Sequence, residues 1–362
     1  MMWISGCFSA TYAEARDKFR DVARADGAAL VSYRNPADGP GGLRLTTETA
    51  WLGPRGAERL LIIMSATHGV EGFSGSGQQV GLLKSGVASD LPRGTALLMI
   101  HAINPSGFAR MRRVTEGNVD LNRNFVDHSR PYPASPGYEL LREAICPRDW
   151  TAEGRAAADA ILDAYAAEHG AMAMQTAISG GQFVDPDGLF YGGRGPVWSN
   201  RTLREILRRE GAGARHVGFI DLHSGLGPYG LGEINNNHVF GEPGYRRVKD
   251  WYGSEVTSSE EGSSASATPV GTANTAFVEE LGPDTVTGIT LESGTVEILE
   301  LRDALRADNW LYRYGRPDSA EGRAIAARLR KVFYPDTDNW RRIVWERAVD
   351  VVRRALRGVS QS

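Results

Sequence analysis

Four short, largely apolar runs, each followed by polar residues, place the strongest limits on how this 362-residue chain can fold. The runs occupy residues 60–64, 97–100, 217–220 and 286–291. A strand covered on one face alternates apolar and polar residues, whereas an unbroken apolar run is typical of a strand buried on both faces. With 41% hydrophobic residues, the chain can also bury a large core. We therefore expect a sheet enclosed between layers of helices.

Helical patterns separate these runs. Amphipathic stretches predict helices over 12–25, 153–168 and 202–209. Ser199 or Asn200 is the expected N-cap of the last of these helices. A Gly- and Pro-rich turn is expected over 35–42, followed by a short strand near 43–51. The alternation of strands and helices predicts an α/β fold with helices on both faces of the sheet.

We predict a single domain over residues 1–362, although the length is compatible with one large α/β domain or two smaller ones. The Gly-, Ser- and Thr-rich stretch 253–275 has little apolar content, so we expect a mobile loop there. C-terminal helices are expected over 320–357, and the last of them is basic and amphipathic. Such a helix packs on its own domain or on a second subunit more often than on a membrane, which leaves a homo-oligomer open.

Composition argues against several classes of partner. The formal net charge of -3 and the pI near 6.2 do not suit nucleic-acid binding, which depends on clustered Lys and Arg. Cys7 and Cys146 lack CxxC spacing and a nearby His, so we expect free thiols in a reducing compartment. No window approaches the roughly 18 apolar residues of a membrane span. We therefore expect a cytoplasmic protein with neither a nucleic acid nor a membrane as partner.

Polar residues at the ends of two apolar runs predict a metal site. His68-Gly-Val-Glu71 follows the first run, and Asp221-Leu-His223 closes the third. Ligands of an open α/β sheet bind outside the carboxyl ends of its strands, which is where these residues fall. Imidazole and carboxylate suit zinc, and two His with one Glu leave a fourth position for water. We predict one catalytic Zn²⁺ per chain, held by His68, Glu71 and His223.

A further carboxylate is expected beside one of the ligands. An imidazole that binds a metal generally donates its other N–H to a carboxylate or a carbonyl, which fixes its tautomer. Asp120, within Asn118-Val-Asp-Leu-Asn-Arg-Asn-Phe125, is the candidate. A turn or helix cap is the alternative role for Asp120, and the sequence leaves both open.

These motifs together resemble a known family. In chain order they are His68-Gly-Val-Glu71, Asn104-Pro-Ser-Gly-Phe108, Arg112-Arg113, Asn118-Val-Asp-Leu-Asn-Arg-Asn-Phe125, Asp221-Leu-His223 and Leu291-Glu292. The chain resembles the M14 metallocarboxypeptidase superfamily, most closely its DUF2817 branch, which is similar to the succinylglutamate desuccinylase and aspartoacylase group. The resemblance extends from Phe8 to about Leu311. It implies a zinc carboxypeptidase-like fold, a mixed, mostly parallel twisted sheet with helices on both faces.

The resemblance also implies roles for matching residues. It implies that His68, Glu71 and His223 bind zinc and that Asp120 is the carboxylate behind the first His. Asn122 and Arg123 would anchor a substrate carboxylate. Arg113 would stabilise the oxyanion, and Glu292 would be the general base. Arg110 and Arg112 compete with Arg113 for its role. Carboxypeptidases also use a mobile active-site tyrosine, and its conceivable counterparts here are Tyr191, Tyr229 and Tyr252.

The expected activity is zinc-dependent hydrolysis of an amide bond adjacent to a free carboxylate, in a small molecule or short peptide. An N-acyl amino acid deacylase is the alternative, and a catalytically inactive binding module is a further one. Gly225-Leu-Gly-Pro-Tyr-Gly230 fits the dinucleotide pattern GxGxxG, but no clear helical pattern follows it. Gly72-Phe-Ser-Gly-Ser76 lacks the second glycine of a nucleophile elbow, which argues against a serine hydrolase.

Overall fold

The four apolar runs form the four central strands of an eight-stranded sheet in the computed structural model, which describes residues 3–259, 261–262, 264 and 269–361. The strands are β1 (Ala29–Asp38), β2 (Arg44–Leu52), β3 (Arg59–Ser65), β4 (Thr95–His101), β5 (His216–Leu226), β6 (Gly232–Asn236), β7 (Val256–Thr257) and β8 (Val286–Val296). Their order across the sheet is β1-β2-β4-β3-β5-β8-β6-β7. Strand β3 runs parallel to β4 and β5, β8 runs parallel to β5, and β7 runs parallel to β6, whereas the other neighbours are antiparallel. The predicted mixed, mostly parallel sheet is confirmed.

Helices cover both faces of this sheet. Those of the described residues are α1 (Tyr12–Ala25), α2 (Gly72–Lys84), α3 (Pro105–Ala109), α4 (Pro136–Ile145), α5 (Ala152–His169), α6 (Ala171–Ser179), α7 (Trp198–Glu210), α8 (Pro243–Tyr252), α9 (Ala273–Leu281), α10 (Ile298–Tyr314), α11 (Ala320–Phe333) and α12 (Asp338–Gln361). Helices α1, α2, α8 and α12 share one core with the sheet, and α7 and α9 share another. A third core joins α4, α5, α6, α10 and α11. The predicted α/β fold with helices on both faces is confirmed.

The C-terminal region is helical, as α11 and α12 occupy it. Helix α12 buries Trp340, Val344, Ala348 and Val351 at i, i+4 and i+3 spacing in the core that it shares with the sheet. Its apolar stripe thus packs on its own chain, one of the two outcomes that the sequence left open. No helix of the described residues is long and apolar enough to cross a membrane.

The stretch 253–275, predicted as a mobile loop, begins with a 3-10 turn at Gly253–Glu255 and strand β7. It ends in the first turn of α9. Residues 260, 263 and 265–268 of this stretch lie outside the described residues. The prediction of mobility therefore stays a prediction.

Two local predictions were wrong. The turn expected over 35–42 belongs in part to β1, an edge strand with an irregular register between Arg34 and Asp38. An edge position tolerates Pro36 because the missing N–H is not needed for pairing on the outer side. Ser199 and Asn200 lie inside α7, which begins at Trp198, and neither caps it.

Candidate metal centre and its cavity

The carboxyl ends of three neighbouring strands bring the candidate site together. His68 follows β3, His223 lies in β5 and Glu292 lies in β8. Strands β3 and β5 are parallel neighbours, as are β5 and β8, and His223 is paired in register with Glu292. Residues far apart in sequence therefore meet at one edge of the sheet.

The turn after β3 requires glycine because backbone and ring atoms approach it closely. Gly69 opens a 3-10 turn that ends at Glu71 and leads into α2. A Cβ at Gly69 would lie 2.1 Å from the carbonyl carbon of Gly107, and one at Gly72 would lie 2.4 Å from the Phe108 ring. No side chain fits at either position, so the glycines let the turn pack tightly and bring Glu71 back toward β3.

His68, Glu71 and His223 converge through one edge of each imidazole. Nδ1 of His68 lies 2.7 Å from Glu71 Oε1, and Nδ1 of His223 lies 3.0 Å from Glu71 Oε2. One ligand atom from each residue lies within 4.8 Å of the others, and all three side chains are buried. Glu71 Oε2 also accepts a hydrogen bond from the N–H of Ser224 at 3.1 Å, which fixes the carboxylate. The arrangement offers two imidazole nitrogens and one carboxylate, a donor set that suits zinc.

The opposite edge of each ring faces another carboxylate. Nε2 of His223 lies 2.8 Å from Asp221 Oδ2, and Nε2 of His68 lies 3.4 Å from Asp120 Oδ1. Asp221 is also held by the Thr67 hydroxyl, which donates to it at 2.8 Å. A neutral imidazole whose N–H faces the aspartate presents the lone pair of its Nδ1 to the metal position. The sequence motif contained Asp221, but gave no sign of this contact.

The net charge of the site favours binding of a cation. With neutral imidazoles, the carboxylates of Glu71, Asp120 and Asp221 and the guanidinium groups of Arg113 and Arg123 sum to a formal charge of about -1. Burial alone would lower the pKa of His223, but Asp221 and Glu71 raise it well above its ordinary value. The donor set and this surplus negative charge both fit a divalent metal ion.

Asp120 caps a turn and also faces His68, so it occupies the positions of both alternatives that the sequence left open. Its Oδ1 accepts from the N–H of Asn122 at 2.9 Å and so caps the 3-10 turn Leu121–Arg123. Its Oδ2 accepts from Arg113 Nε at 2.9 Å, and Oδ1 faces His68. Burial opposes ionisation, but Arg113 and then His68 hold the pKa of Asp120 well below its ordinary value. The carboxylate thus joins a turn, an arginine and a candidate metal ligand.

The three competing arginines occupy different places. Arg113 lines the cavity at the site, with Nη1 3.6 Å from Glu71 Oε1 and its guanidinium over the Phe190 ring. Arg112 pairs with Asp308 at 2.9 Å, and Arg110 donates to the carbonyl of Asp38 at 2.7 Å. Neither Arg112 nor Arg110 is among the described residues that line the cavity. Geometry therefore favours Arg113 as the candidate beside a reacting carbonyl.

Asn122 and Arg123 also line the cavity. Arg123 is 6% exposed and donates to the backbone carbonyls of Asn122 and Ser179, while no acceptor among the described residues reaches its Nε. Burial lowers the pKa of Arg123 to about 10, Asp120 opposes this effect and the nearby Arg113 adds to it. Two guanidinium groups thus flank the Phe190 ring. A ligand carboxylate would relieve the repulsion between them.

Glu292 faces the same cavity from β8. Its Oε1 accepts a hydrogen bond from the N–H of Leu226 at 3.3 Å. Burial, and then the negative charge of Glu71, raise the pKa of Glu292 to about 8. A carboxylate that holds a proton near neutral pH has the property required of a general acid and base.

The cavity that these side chains line has a volume of about 410 Å³. This volume falls within the range of about 300–1,000 Å³ that is usual for small-molecule sites. Seven of the eight predicted site residues line it: His68, Glu71, Arg113, Asn122, Arg123, His223 and Glu292. Asp120 lies behind them. No tyrosine is found among the described residues of its lining, so none of Tyr191, Tyr229 and Tyr252 is placed at the site.

Sequence analysis missed one side of the cavity. Four residues line this side: Asn235 in β6, Asn237 just after β6, Asn274 in α9 and Thr290 in β8. Alternate positions of a strand share a face, so Glu-Ile-Asn-Asn-Asn237 carried a signal for Asn235 and Asn237. That signal becomes specific only when β6 is known to pair with β8.

Comparison with known proteins places the chain in a family. Residues 8–347 match a family described as "Protein of unknown function (DUF2817)". No curated protein matches the chain.

Solved structures that resemble the chain differ from it widely in sequence. Succinylglutamate desuccinylase from Chromobacterium violaceum is 15% identical, with 88% of this chain and 74% of that chain covered and a TM-score of 0.37. Bovine thrombin-activatable fibrinolysis inhibitor is 13% identical, with 96% and 98% covered and a TM-score of 0.44. The ectoine utilization protein from Ruegeria pomeroyi is 15% identical, with 79% and 67% covered and a TM-score of 0.39. Similarity at this level carries no argument about the activity of this chain.

Proposed function

The chain belongs to the DUF2817 family, and from the chemistry of its cavity we propose that it is a zinc-dependent hydrolase of an amide bond next to a free carboxylate. The observation that carries the proposal is the convergence of His68 Nδ1 and His223 Nδ1 on the two oxygens of Glu71. Glu292 and Arg123 line the same 410 Å³ cavity and supply the remaining chemistry. A base, an anion anchor and a cation site in one cavity suit hydrolysis of an acidic amide.

In this mechanism His68, Glu71 and His223 hold the zinc ion, which when bound supplies the Lewis acidity that eases deprotonation of water near neutral pH. Glu292 takes the proton of the attacking water and then delivers it to the leaving amine. Arg113 stabilises the negative charge that develops on the carbonyl oxygen.

The substrate is positioned by its carboxylate. Asn122 and Arg123 hold it, and the planar guanidinium suits the two oxygens of a carboxylate better than an ammonium group would. Asp120 orients Arg113 and His68 through its two oxygens. The scissile bond then lies between the anchor and the acyl group.

Two substrate types fit this proposal, a peptide with a free carboxyl terminus and an N-acyl amino acid. Either brings an amide bond and a carboxylate within reach of Glu292 and Arg123 in the same cavity. A catalytically inactive binding module is the less favoured function, because every position of the proposed machinery is filled by a competent residue. We also propose a cytoplasmic location, since Cys7 and Cys146 are buried free thiols.

The test combines metal analysis with a substrate panel. Elemental analysis of the purified chain should find one zinc ion per chain, and His223→Ala should reduce this content. The panel pairs free-carboxylate peptides and N-acyl amino acids with their carboxamides, each assayed with and without a chelator. Hydrolysis should require the carboxylate and should stop with the chelator. A chain without stoichiometric metal, or with chelator-resistant turnover, would contradict the proposal.

Arg123→Ala tests the anchor within the same panel. Loss of a charged hydrogen bond costs about 1.5–3 kcal/mol, so kcat/KM for carboxylate substrates should fall about 10- to 100-fold. The residual activity on carboxamides should not change. Arg130→Ala, which removes an exposed arginine, is the matched control. An equal loss on carboxylates and carboxamides would reject the anchoring role.

A further inference from the structure

The cavity has two walls of opposite character. We call one the apolar wall, formed by Met174, Ile178, Ile298, Leu299 and Leu301 of α6 and α10. We call the other the polar wall, formed by Asn235, Asn237, Asn274 and Thr290 of the β6, β8 and α9 region. The metal centre lies in the same cavity. A substrate that spans the centre therefore meets different chemistry on its two sides.

The apolar wall leaves large hydrophobic side chains uncovered. Ile298 is 41% exposed and Leu299 is 59% exposed, although both line the cavity. Arg302 is the charged residue of α10 on this lining, and its Nη2 lies 3.8 Å from Asp159 Oδ1. Asp159 also pairs with Arg306, which lies 3.6 Å from Asp303, so two carboxylates balance the two guanidinium groups. Apolar surface held open in a ligand-sized cavity favours an apolar ligand group.

The polar wall presents acceptors that lack donors. Asn235 is paired in register with Thr290, and the Thr290 hydroxyl donates to Asn237 Oδ1 at 3.0 Å. Among the residues that the structure describes, no donor reaches the buried Oδ1 atoms of Asn235 and Asn274. A buried acceptor without a partner is costly, so a ligand that brings an N–H or O–H is favoured there.

Three contacts bear on which half of the substrate meets each wall. Arg123 donates to the Ser179 carbonyl at the end of α6, so the substrate carboxylate lies where the two walls meet. Asn122, one of the proposed carboxylate anchors, accepts through Oδ1 from the N–H of Ala273 at 2.8 Å, directly before Asn274. Glu292, the proposed proton donor to the leaving amine, lies two residues from Thr290 on the same face of β8. The amino acid half must contact both Asn122 and Glu292. It therefore lies along the polar wall, and the acyl half lies along the apolar wall.

Charge restricts the amino acid further. Glu233 is the cross-strand partner of Glu292 and places a carboxylate at one end of the polar wall. A second carboxylate on the substrate would be repelled there, whereas an amide or hydroxyl group would not.

We propose, on the premise of the function given above, that the substrate joins an apolar acyl group to an amino acid with a neutral polar side chain. The acyl group contacts the apolar wall. The side chain of the amino acid donates hydrogen bonds to Asn235 and Asn274. Acidic acyl groups and acidic side chains are disfavoured.

The acyl half is tested with two compounds of the same shape, N-(4-methylpentanoyl)-L-asparagine and N-succinyl-L-asparagine. The zinc-loaded protein should hydrolyse the apolar compound at least about tenfold faster in kcat/KM, because a carboxylate loses its hydration against an apolar wall. From N-acetyl-L-asparagine upward, each added carbon should raise kcat/KM about fourfold until the wall is covered.

The amino acid half is tested with leucine and aspartate in place of asparagine on the 4-methylpentanoyl compound. Both changes should lower kcat/KM about 10- to 100-fold, leucine because two acceptors stay unpaired and aspartate because of repulsion from Glu233.

A matched pair of variants tests whether the preference for an apolar acyl group depends on the apolar wall. Met174→Gln, at the apolar wall, should reduce the ratio of 4-methylpentanoyl to acetyl turnover about fourfold, the worth of one methylene. Met172→Gln, on the same helix but 52% exposed and not among the residues that line the cavity, should leave this ratio unchanged.

The outcomes separate the two levels of the proposal. A preference for the succinyl compound would make Arg302 a second carboxylate anchor and overturn the inference, while the proposed hydrolase function would stand. A preference for aspartate or leucine would overturn the assignment of the polar wall. Failure of the zinc-loaded protein to hydrolyse any amide of the panel would overturn the proposed function itself.

Discussion

Two buried glutamates, Glu48 and Glu71, show the difference between a structural cluster and a candidate reaction centre. Glu48 is 0% exposed, and its Oε1 lies 2.8 Å from Arg20 and accepts from the Thr46 hydroxyl at 2.6 Å. Its Oε2 accepts from the Ser32 hydroxyl. One guanidinium balances one carboxylate, and Glu48 is not among the described residues that line the cavity. The cluster is complete within the chain.

Glu71 is buried to a similar extent, at 2% exposed, and both of its oxygens also have partners. Its contacts are two imidazoles, which face Asp120 and Asp221 on their far sides, the N–H of Ser224 at 3.1 Å and Arg113 at 3.6 Å. Carboxylates outnumber guanidinium groups here, and the cluster lines a cavity. Neither burial nor the number of partners therefore distinguishes the two glutamates. The balance of charge and the adjoining cavity do.

The largest effect expected is on turnover, through Glu292→Gln. The substitution keeps the shape but removes the proton carrier, so kcat should fall about a thousandfold, equivalent to about 4 kcal/mol in activation free energy. Zinc content and the free energy of unfolding should be unchanged within error. Steady-state kinetics, elemental analysis and urea denaturation measure the three quantities.

Glu297→Gln, which changes an exposed glutamate just beyond β8, is the control for Glu292→Gln. A Glu292→Gln protein with wild-type kcat would show that Glu292 is not the base. The contrast between the surroundings of Glu48 and Glu71 would then no longer mark a reaction centre.

The next effect is on stability, through Glu48→Gln. Removing one partner of a buried ion pair leaves Arg20 without its counter-charge, and the free energy of unfolding should fall by about 3 kcal/mol. Turnover per folded molecule should not change, because Glu48 lies outside the cavity. Glu58→Gln, at a glutamate whose side chain is 63% exposed, should change neither quantity. A loss of turnover without a loss of stability would place Glu48 in the reaction centre and remove the contrast.

Sequence predicts some parts of these regions and not others. The convergence of the three candidate ligands could be predicted because apolar runs mark buried strands, and polar residues at the ends of parallel strands meet at one edge. His68, Glu71 and His223 satisfy that rule directly. The central strands β3, β4, β5 and β8 could be predicted for the same reason.

The parts that could not be predicted depend on contacts with distant residues. Helix α2 contains Gly72, Gly75, Gly77 and Gly81, a composition that disfavours helix in isolation. Close neighbours require these glycines: a Cβ at Gly77 would lie 2.2 Å from the Phe8 ring, and one at Gly81 would lie 2.5 Å from the Trp345 ring. The polar wall depends likewise on the register of β6 with β8, which no local pattern encodes. Edge strand β1 was missed because an edge tolerates Asn and Pro.

The smallest effect concerns His101, whose titration contrasts with that of His223. Burial, and then Arg16 and Arg20, lower the pKa of His101 from its ordinary 6.5 to about 3. His101 stacks on Phe19 and bonds the Ser76 hydroxyl through Nε2 at 2.8 Å, and it is not among the described residues that line the cavity. The folded chain therefore keeps this imidazole neutral, whereas the two carboxylates beside His223 favour a positive charge there.

The sign of the pH dependence follows from the lowered pKa of His101. Below pH 6.5 the unfolded chain binds a proton at His101 and the folded chain does not, so this contribution is complete above pH 6.5 and is lost as pH falls toward 3. Between pH 6.5 and about 5 the loss should be about 2 kcal/mol. Urea denaturation at both pH values should show that His101→Gln removes this part of the dependence, while His169→Gln, at an exposed histidine, does not. An unchanged pH slope in His101→Gln would mean that proton exclusion at His101 does not set this part of the pH dependence, and the contrast with His223 would be lost.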